Sequence, residues 1–165
     1  MFMMYNIYVF VFLFPYYFLA GLVIITLNIN GLNNVIKQKQ LVNFVNYHKI
    51  DILMLQEHNI RDKNKLCQEL RDAFVIDINL AVSFKGGTAI LINRKTPIQV
   101  LSSEKSADSR VMSMKFKYYE EIFHLVNIYA HSGTGYTAER ENLFSNDLNY
   151  YLRHNLQRTI IGGGF

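Results

Sequence analysis

Two apolar runs in this chain end on polar groups that could do chemistry together. Val23-Ile24-Ile25-Thr26-Leu27 leads into Asn28-Ile29-Asn30-Gly31, and Ile52-Leu53-Met54-Leu55 leads into Gln56-Glu57. A carboxylate placed directly after four apolar residues is costly to bury unless a cation or a donor meets it, which makes Glu57 the first candidate. Asn28 and Asn30 flank Ile29, a spacing that puts both amides on one face of an extended segment. An amide and a carboxylate side by side at a sheet edge suit a divalent cation and a phosphate, because Mg²⁺ takes oxygen ligands, needs one or two carboxylates and keeps several waters. Tyr129 ends a third such run, Asn127-Ile128-Tyr129-Ala130, and its phenol can donate to a phosphate oxygen.

The remaining reactive types carry less. His131 is a general base by residue type but stands alone in a loop; His124 is expected to alternate outward on its strand; His48 and His58 follow element ends and form no metal pair. The single cysteine, Cys67, gives neither a disulfide framework nor zinc spacing, reads as a half-buried thiol, and makes a reducing compartment the default. No Ser-His-Asp order, Walker loop or dinucleotide fingerprint occurs, and Gly162-Gly163-Gly164 has neither the spacing nor the following helix of a phosphate loop.

The elements that must position these groups follow from periodicity. The short apolar runs at 23–27 and 52–55 read as strands buried on both faces. Between them Val35, Ile36, Leu41, Val42 and Val45 recur at helical spacing as far as Tyr47, with Asn33 or Asn34 as N-cap. Strand, helix, strand makes a parallel βαβ unit with a right-handed crossover. A short helix is expected over 62–73. From Phe74 the period becomes two, through Gly87–Ile92 and Ile98–Leu101, and then Val111–Phe116 faces Phe123–Tyr129 across Tyr118-Tyr119-Glu120-Glu121 as a hairpin. Phe144, Leu148, Tyr151 and Leu152 mark a second helix over 137–154, and Thr159-Ile160-Ile161 begins a strand that breaks at the three glycines. The pattern is that of a layered α/β domain, a mixed sheet with helices on one face, its far face lacking cover within the chain. An uncovered face predicts aggregation or a partner.

The chain has 165 residues, 50% hydrophobic and 14% aromatic, enough for one domain with a sizeable core. Its net charge of +4 is scattered, mild support for a polyanionic partner. No charged side chain precedes Lys37. Residues 7–25 are apolar over a length that would cross a bilayer, but Pro15 interrupts them, no basic residue precedes them and their last third is needed as the first strand. Residues 1–21 are therefore read either as a nonfunctional extension or as a membrane segment, and 22–165 as the domain.

In order along the chain, Thr26-Leu27-Asn28-Ile29-Asn30-Gly31-Leu32, Leu55-Gln56-Glu57, Gly87-Thr88-Ala89-Ile90-Leu91-Ile92, Asn127-Ile128-Tyr129-Ala130 and Ile160-Ile161-Gly162-Gly163 resemble successive motifs of the endonuclease/exonuclease/phosphatase superfamily. The nearest branch is the apurinic-like endonuclease domain of LINE-type (non-LTR) retrotransposons. The resemblance implies a four-layer α/β sandwich, Mg²⁺-dependent hydrolysis of a DNA phosphodiester that nicks target DNA for reverse transcription, and an intracellular setting. It makes Asn28 the active-site amide, Glu57 the metal carboxylate, Tyr129 the phosphate-contacting phenol and Asn30 a site-lining residue. Where the family has Gly-Asp-Phe-Asn this sequence reads Gly163-Gly164-Phe165, so the Asp is replaced by Gly164. The later acidic and histidine groups have no counterpart, so the domain reads as C-terminally truncated. Loss of a general base alone costs about 10²–10⁴ in rate, so hydrolysis is not expected. Three alternatives stand beside this inactive relic: a non-catalytic nucleic-acid-binding fragment, an incomplete gene model of an active phosphodiesterase, and a membrane-anchored protein.

Overall fold

The computed structural model describes the backbone of residues 5–12 and, in full, residues 21–83, 85–130, 134–152 and 158–164, apart from the side chains of Thr134 and Asp147. His131, Phe165 and the centre of the N-terminal apolar run lie outside the described residues.

The β-branched and leucine-rich runs form strands β2 (Leu22–Asn28) and β3 (Ile52–Gln56), which pair in parallel through helix α1 (Val35–Tyr47). Asn34 caps α1, its side chain accepting from the Ile36 amide at 2.8 Å. The helix face departs from expectation. Val35 and Ile36, the latter 67% exposed, sit in the first turn outside the core, while Gln38 is buried with Leu41 and Val45. Gln38 fits there because its amide is satisfied: Nε2 donates to Leu32 O and Lys65 O, and Oε1 accepts from the Cys67 amide.

The expected short helix is split into a 3₁₀ turn at Lys63–Lys65 and helix α2 (Gln68–Ala73). Strands β4 (Phe74–Asn79) and β5 (Thr88–Asn93) follow. A first strand, β1 (Tyr5–Phe12), pairs antiparallel with β2, giving a mixed sheet of order β1-β2-β3-β5-β4. The described parts of the apolar stretch at 7–25, residues 7–12 and 22–25, lie in two strands, and no helix among the described residues is long and apolar enough to cross a membrane.

Beyond β5 the chain does not extend that sheet but starts another. Strands β6 (Ile98–Lys105), β7 (Val111–Tyr118), β8 (Glu121–Tyr129) and β9 (Thr159–Gly164) form a second sheet in that order, with the β7–β8 hairpin turning at the expected place and β9 parallel to β8. The expected single helix over 137–154 is α3 (Thr137–Asn142), a π-helical turn at Leu143–Asp147 and α4 (Leu148–Leu152), with the last residues of that range outside the described ones.

Three apolar clusters define four layers. Leu41, Val45 and Leu70 of the helices pack on Ile25, Leu27, Leu53 and Leu55 of the first sheet. Ile24, Ile52, Met54, Ile90 and Ile92 meet Met112, Met114, Phe116 and Leu125 between the sheets. Val126 and Ile128 on the outer face of the second sheet lie under Leu143 and Tyr151. The domain is the α/β sandwich expected, but the expected uncovered face is absent. The meander folds back as its own sheet over that face, and burying each large apolar side chain there contributes about 1.5–3 kcal/mol. Covering both faces also explains why β8 is buried at every position from Phe123 to Tyr129, so that His124, expected to face outward, is buried beside Thr159.

Glycines set the spacing at one corner. β9 runs through Gly162, Gly163 and Gly164 instead of breaking there. A Cβ on Gly162 would collide with Met54 and stand 3.2 Å from Thr26 Cβ, so glycine lets β9 lie close against the first sheet.

Candidate active site

The parallel register Asn28↔Gln56 brings the ends of β2 and β3 level, and the antiparallel register Gln56↔Thr88 adds the start of β5. From the second sheet, Tyr129↔Gly164 adds the ends of β8 and β9. Five chain segments therefore converge at one pole of the sandwich.

Glu57 leaves the sheet with φ of +53°, a left-handed conformation that costs a non-glycine residue of order 1 kcal/mol and is held by neighbours. The Gly31 amide donates to Glu57 O at 2.6 Å and the Leu32 amide to His58 O at 2.8 Å, so the β2–α1 loop clamps the turn. Asn28 Nδ2 donates to Glu57 Oε1 at 2.7 Å. The Tyr129 phenol bonds the same carboxylate. Its pKa is pushed up to about 12, first by burial, then by that hydrogen bond and the negative charge of Glu57, with Arg110 opposing. Tyr129 thus stays a protonated donor throughout the ordinary pH range.

Asn30 does not continue the extended segment. Its φ is +45°, and its backbone amide donates to Asn28 Oδ1 at 3.1 Å. Lys37 Nζ donates to Ile29 O at 2.6 Å and Asn30 O at 3.1 Å, and burial lowers its pKa. Gly164 faces Asn28 and Gln56: a Cβ there would stand 3.7 Å from Asn28 Nδ2 and 3.8 Å from Gln56 Oε1, ordinary contact distances. The structure therefore brings Asn28, Glu57, Tyr129 and Gly164 together, with Asn30 adjoining through its backbone.

Several contributors escaped the sequence reading. Asn127, fully buried on the inner face of β8 two residues before Tyr129, ties the two sheets together. Its Nδ2 donates to Leu55 O and Ala89 O, both at 2.9 Å, and its Oδ1 accepts from Gln56 Nε2 at 2.6 Å. Gln56 Nε2 also donates to Thr26 Oγ1 at 2.9 Å, which fixes the amide so that Oε1 is left buried without a partner among the described residues. Arg110 precedes β7 and brackets Tyr129, its guanidinium carbon 5.1 Å from the ring centroid and Nη1 donating to Tyr129 O at 3.3 Å. The hairpin register alone would have identified it as Tyr129's cross-strand neighbour. Asn59 staples two loops, accepting from the Gly86 amide at 2.8 Å through Oδ1 and from Asn33 Nδ2 at 2.9 Å through its carbonyl.

His58 is structural. Its Nδ1 accepts from the Ile60 amide and Nε2 bonds Asn79 O, each at 3.0 Å, and burial holds its pKa down at about 4. Gly87, with φ of +86°, lies against the imidazole so closely that a Cβ would overlap the ring.

No cluster of three or more His, Cys, Asp or Glu exists among the described residues. The donor set nevertheless fits Mg²⁺ at its minimum: one carboxylate, Glu57, with an orphaned amide oxygen on Gln56 nearby. Glu57 would hold the ion and Asn28 would orient the carboxylate; the ion would supply positive charge to a phosphate oxygen.

No family model matches the chain. Among solved structures, the 3′ phosphatase NExo from Neisseria, bound to a product DNA hairpin, superposes with a TM-score of 0.67 at 20% identity, covering 86% of this chain and 56% of that one. D. rerio TDP2 humanized by 14 mutations gives 0.66 at 17% identity over 86% and 65% of the two chains. D. rerio TDP2 complexed with single-strand DNA product gives 0.64 at 15% identity over 85% and 58%. This chain shares their fold. It spans less than two thirds of the length of each.

Proposed function

We propose that this pole of the sandwich is a phosphodiester site of the endonuclease/exonuclease/phosphatase kind, from a LINE-type retrotransposon endonuclease, that binds DNA without hydrolysing it. The observation that carries the reading is the Asn28–Glu57 hydrogen bond, with the Tyr129 phenol on the same carboxylate and Gly164 beside them. In this reading Glu57 binds Mg²⁺, Tyr129 donates to a non-bridging phosphate oxygen, and Asn30 lines the approach. Arg110, behind Tyr129, adds positive charge where the phosphate would sit. Hydrolysis further needs a group that positions or deprotonates water, and Gly164 offers no side chain at the place where the motif carries Asp. Two of the similar folds were captured with DNA products, which supports DNA as the polyanion bound here.

The test is a supercoiled-plasmid assay with Mg²⁺ alongside a DNA gel shift at two salt concentrations. The expected outcome is no nicking together with binding that weakens as salt rises. Robust nicking by the unaltered chain would overturn the inactive reading; a gel shift indifferent to salt, or none, would overturn the DNA-binding one. A second reading, part of an active phosphodiesterase, is favoured by the chain spanning only 56–65% of the similar structures. Sequencing the transcript past the codon for Phe165 separates it from the first, since an in-frame continuation with acidic and histidine motifs would restore the enzyme.

A further inference from the structure

Away from the proposed site, β4 forms an edge of the first sheet: it pairs with β5 on one side and with nothing among the described residues on the other. Phe74, Ile76 and Ile78, on the face of β4 that packs toward the helices, line with Leu66 the apolar wall of a groove of about 330 Å³, in which Ile76 is the half-buried member and the other three are buried. Lys63, Arg71 and Arg94 line its rim, and no carboxylate does. None of the three cations makes an ion pair among the described residues. Arg71 is held in place: its Nε donates to Leu66 O at 3.1 Å, and Nη2 to Lys63 O and Asn64 O at 3.2 Å. Arg94 Nε donates to the main-chain carbonyl of Arg71 at 3.2 Å, which ties the Arg94 side chain to the last turn of α2 and to the same rim.

A free strand edge, an apolar wall and a rim of unneutralised cations describe a receptor for an extended peptide. Main-chain hydrogen bonds to such an edge supply affinity, and pockets for alternate side chains supply specificity. Charge selects an acidic partner, because three cations held together without counter-ions repel one another until a polyanion neutralises them. Single-stranded nucleic acid is the other polyanion to weigh, but it binds such surfaces by stacking bases on exposed aromatic rings. The groove's one aromatic residue, Phe74, is 2% exposed, so its ring is spent on the core. We propose that the β4 edge docks an acidic peptide in which glutamates or aspartates alternate with aliphatic residues, paired to β4 as an added strand. This surface is independent of the phosphodiester site and stands or falls separately from it.

The test uses the whole chain and a fluorescein-labelled decapeptide of alternating valine and glutamate, followed by fluorescence anisotropy. Controls are the matching valine–lysine peptide and a labelled ten-nucleotide oligonucleotide. The expected result is saturable binding of the acidic peptide, with hydrogen-exchange protection appearing at β4 amides between Val75 and Asn79. The double variant Lys63→Glu/Arg94→Glu should weaken binding at least tenfold while keeping the parent circular dichroism spectrum. It spares Arg71, whose bonds to three carbonyls hold the loop. The charge-neutral variant Arg94→Gln, expected to weaken binding by a smaller factor, serves as the second reading if the double variant misfolds. Equal binding of the valine–lysine peptide, protection elsewhere than β4, binding unaffected by the variants, or preference for the oligonucleotide would each overturn the proposal.

Discussion

Asn28 and Glu57, 29 positions apart in the chain, are joined by a 2.7 Å hydrogen bond because β2 and β3 run parallel and end level with each other. The bond is charge-assisted and half-buried, which makes it stronger than an exposed amide contact. It fixes the carboxylate against an amide that has no other orientation available: Asn28 Oδ1 already accepts from the Asn30 backbone. The pole of the sandwich is thus preorganised before any ligand arrives.

Replacing the carboxylate should release Tyr129. In Glu57→Gln the negative charge beside the phenol disappears, so the Tyr129 pKa should fall from about 12 toward 10 without reaching it, because burial is the largest cause of the rise and persists. The sign for stability follows. A phenol titrating higher in the folded than in the unfolded chain favours folding below pH 10, and this advantage drains away between pH 10 and about 12. Phenolate absorbance titration of parent and variant, with Tyr129→Phe to assign the signal, measures it. An unchanged highest-titrating tyrosine in Glu57→Gln would refute the coupling.

His58 predicts acid sensitivity of the opposite sign. Its folded pKa of about 4 lies below the ordinary imidazole value of 6.5, so the unfolded chain takes up a proton that the folded chain refuses as the pH drops through that interval. About 3 kcal/mol of stability should be lost between pH 6.5 and 4 from this group. Urea midpoints across that range should decline in the parent, and His58→Gln should flatten the decline while lowering stability at pH 7. A parallel decline in the variant would assign the acid sensitivity to other groups.

How far the sequence reached is set by which interactions are local. The βαβ unit, an N-cap at Asn33 or Asn34, of which Asn34 is the cap, and the β7–β8 hairpin depend on periodicity and turn chemistry within a few residues, and each was legible to that extent. The division into two sheets was not, because the period of a strand says nothing about which sheet it joins; the break between β5 and β6 is a tertiary decision. The same limit hid Gln38 and His124, whose burial depends on partners far along the chain. Asn28, Glu57 and Tyr129 were legible as strand-end polar groups. Asn127 was not singled out, because a buried Asn is distinguished only by the carbonyls it reaches, Leu55 O and Ala89 O, on another sheet.

Asn127 should therefore be among the most sensitive positions in the chain. Asn127→Leu takes from two buried carbonyls the amide partner they have now, at about 1–3 kcal/mol for each, and leaves Gln56 Nε2 with Thr26 Oγ1 and Met54 O. The total should be about 3–5 kcal/mol in urea denaturation, larger than for Asn79→Leu, whose side chain makes two contacts in a partly exposed place. Equal costs would show that the inter-sheet amide network adds nothing beyond an ordinary polar contact.

The adjacent glycines of β9 should part company on substitution. A Cβ at Gly163 would run into the carbonyl of Ile128, a backbone atom that cannot rotate aside, so Gly163→Ala should cost more than about 2 kcal/mol. At Gly164 the same methyl meets Asn28 and Gln56 at 3.7–3.9 Å and should fold with little penalty. That tolerance makes Gly164→Asp the informative variant. Its carboxylate would extend from a Cβ beside Asn28 and near the orphaned Gln56 oxygen, adding a second anionic ligand where Glu57 now stands alone. Two like charges in one half-buried site repel until a cation joins them, so the variant should be less stable than the parent without Mg²⁺ and gain more from its addition. Thermal unfolding of Gly164→Asp, Gly164→Ala and parent chains with and without Mg²⁺ reads this directly. A Mg²⁺-dependent rise confined to Gly164→Asp is the expected result; equal shifts in all three chains would place the metal elsewhere than Glu57 and position 164.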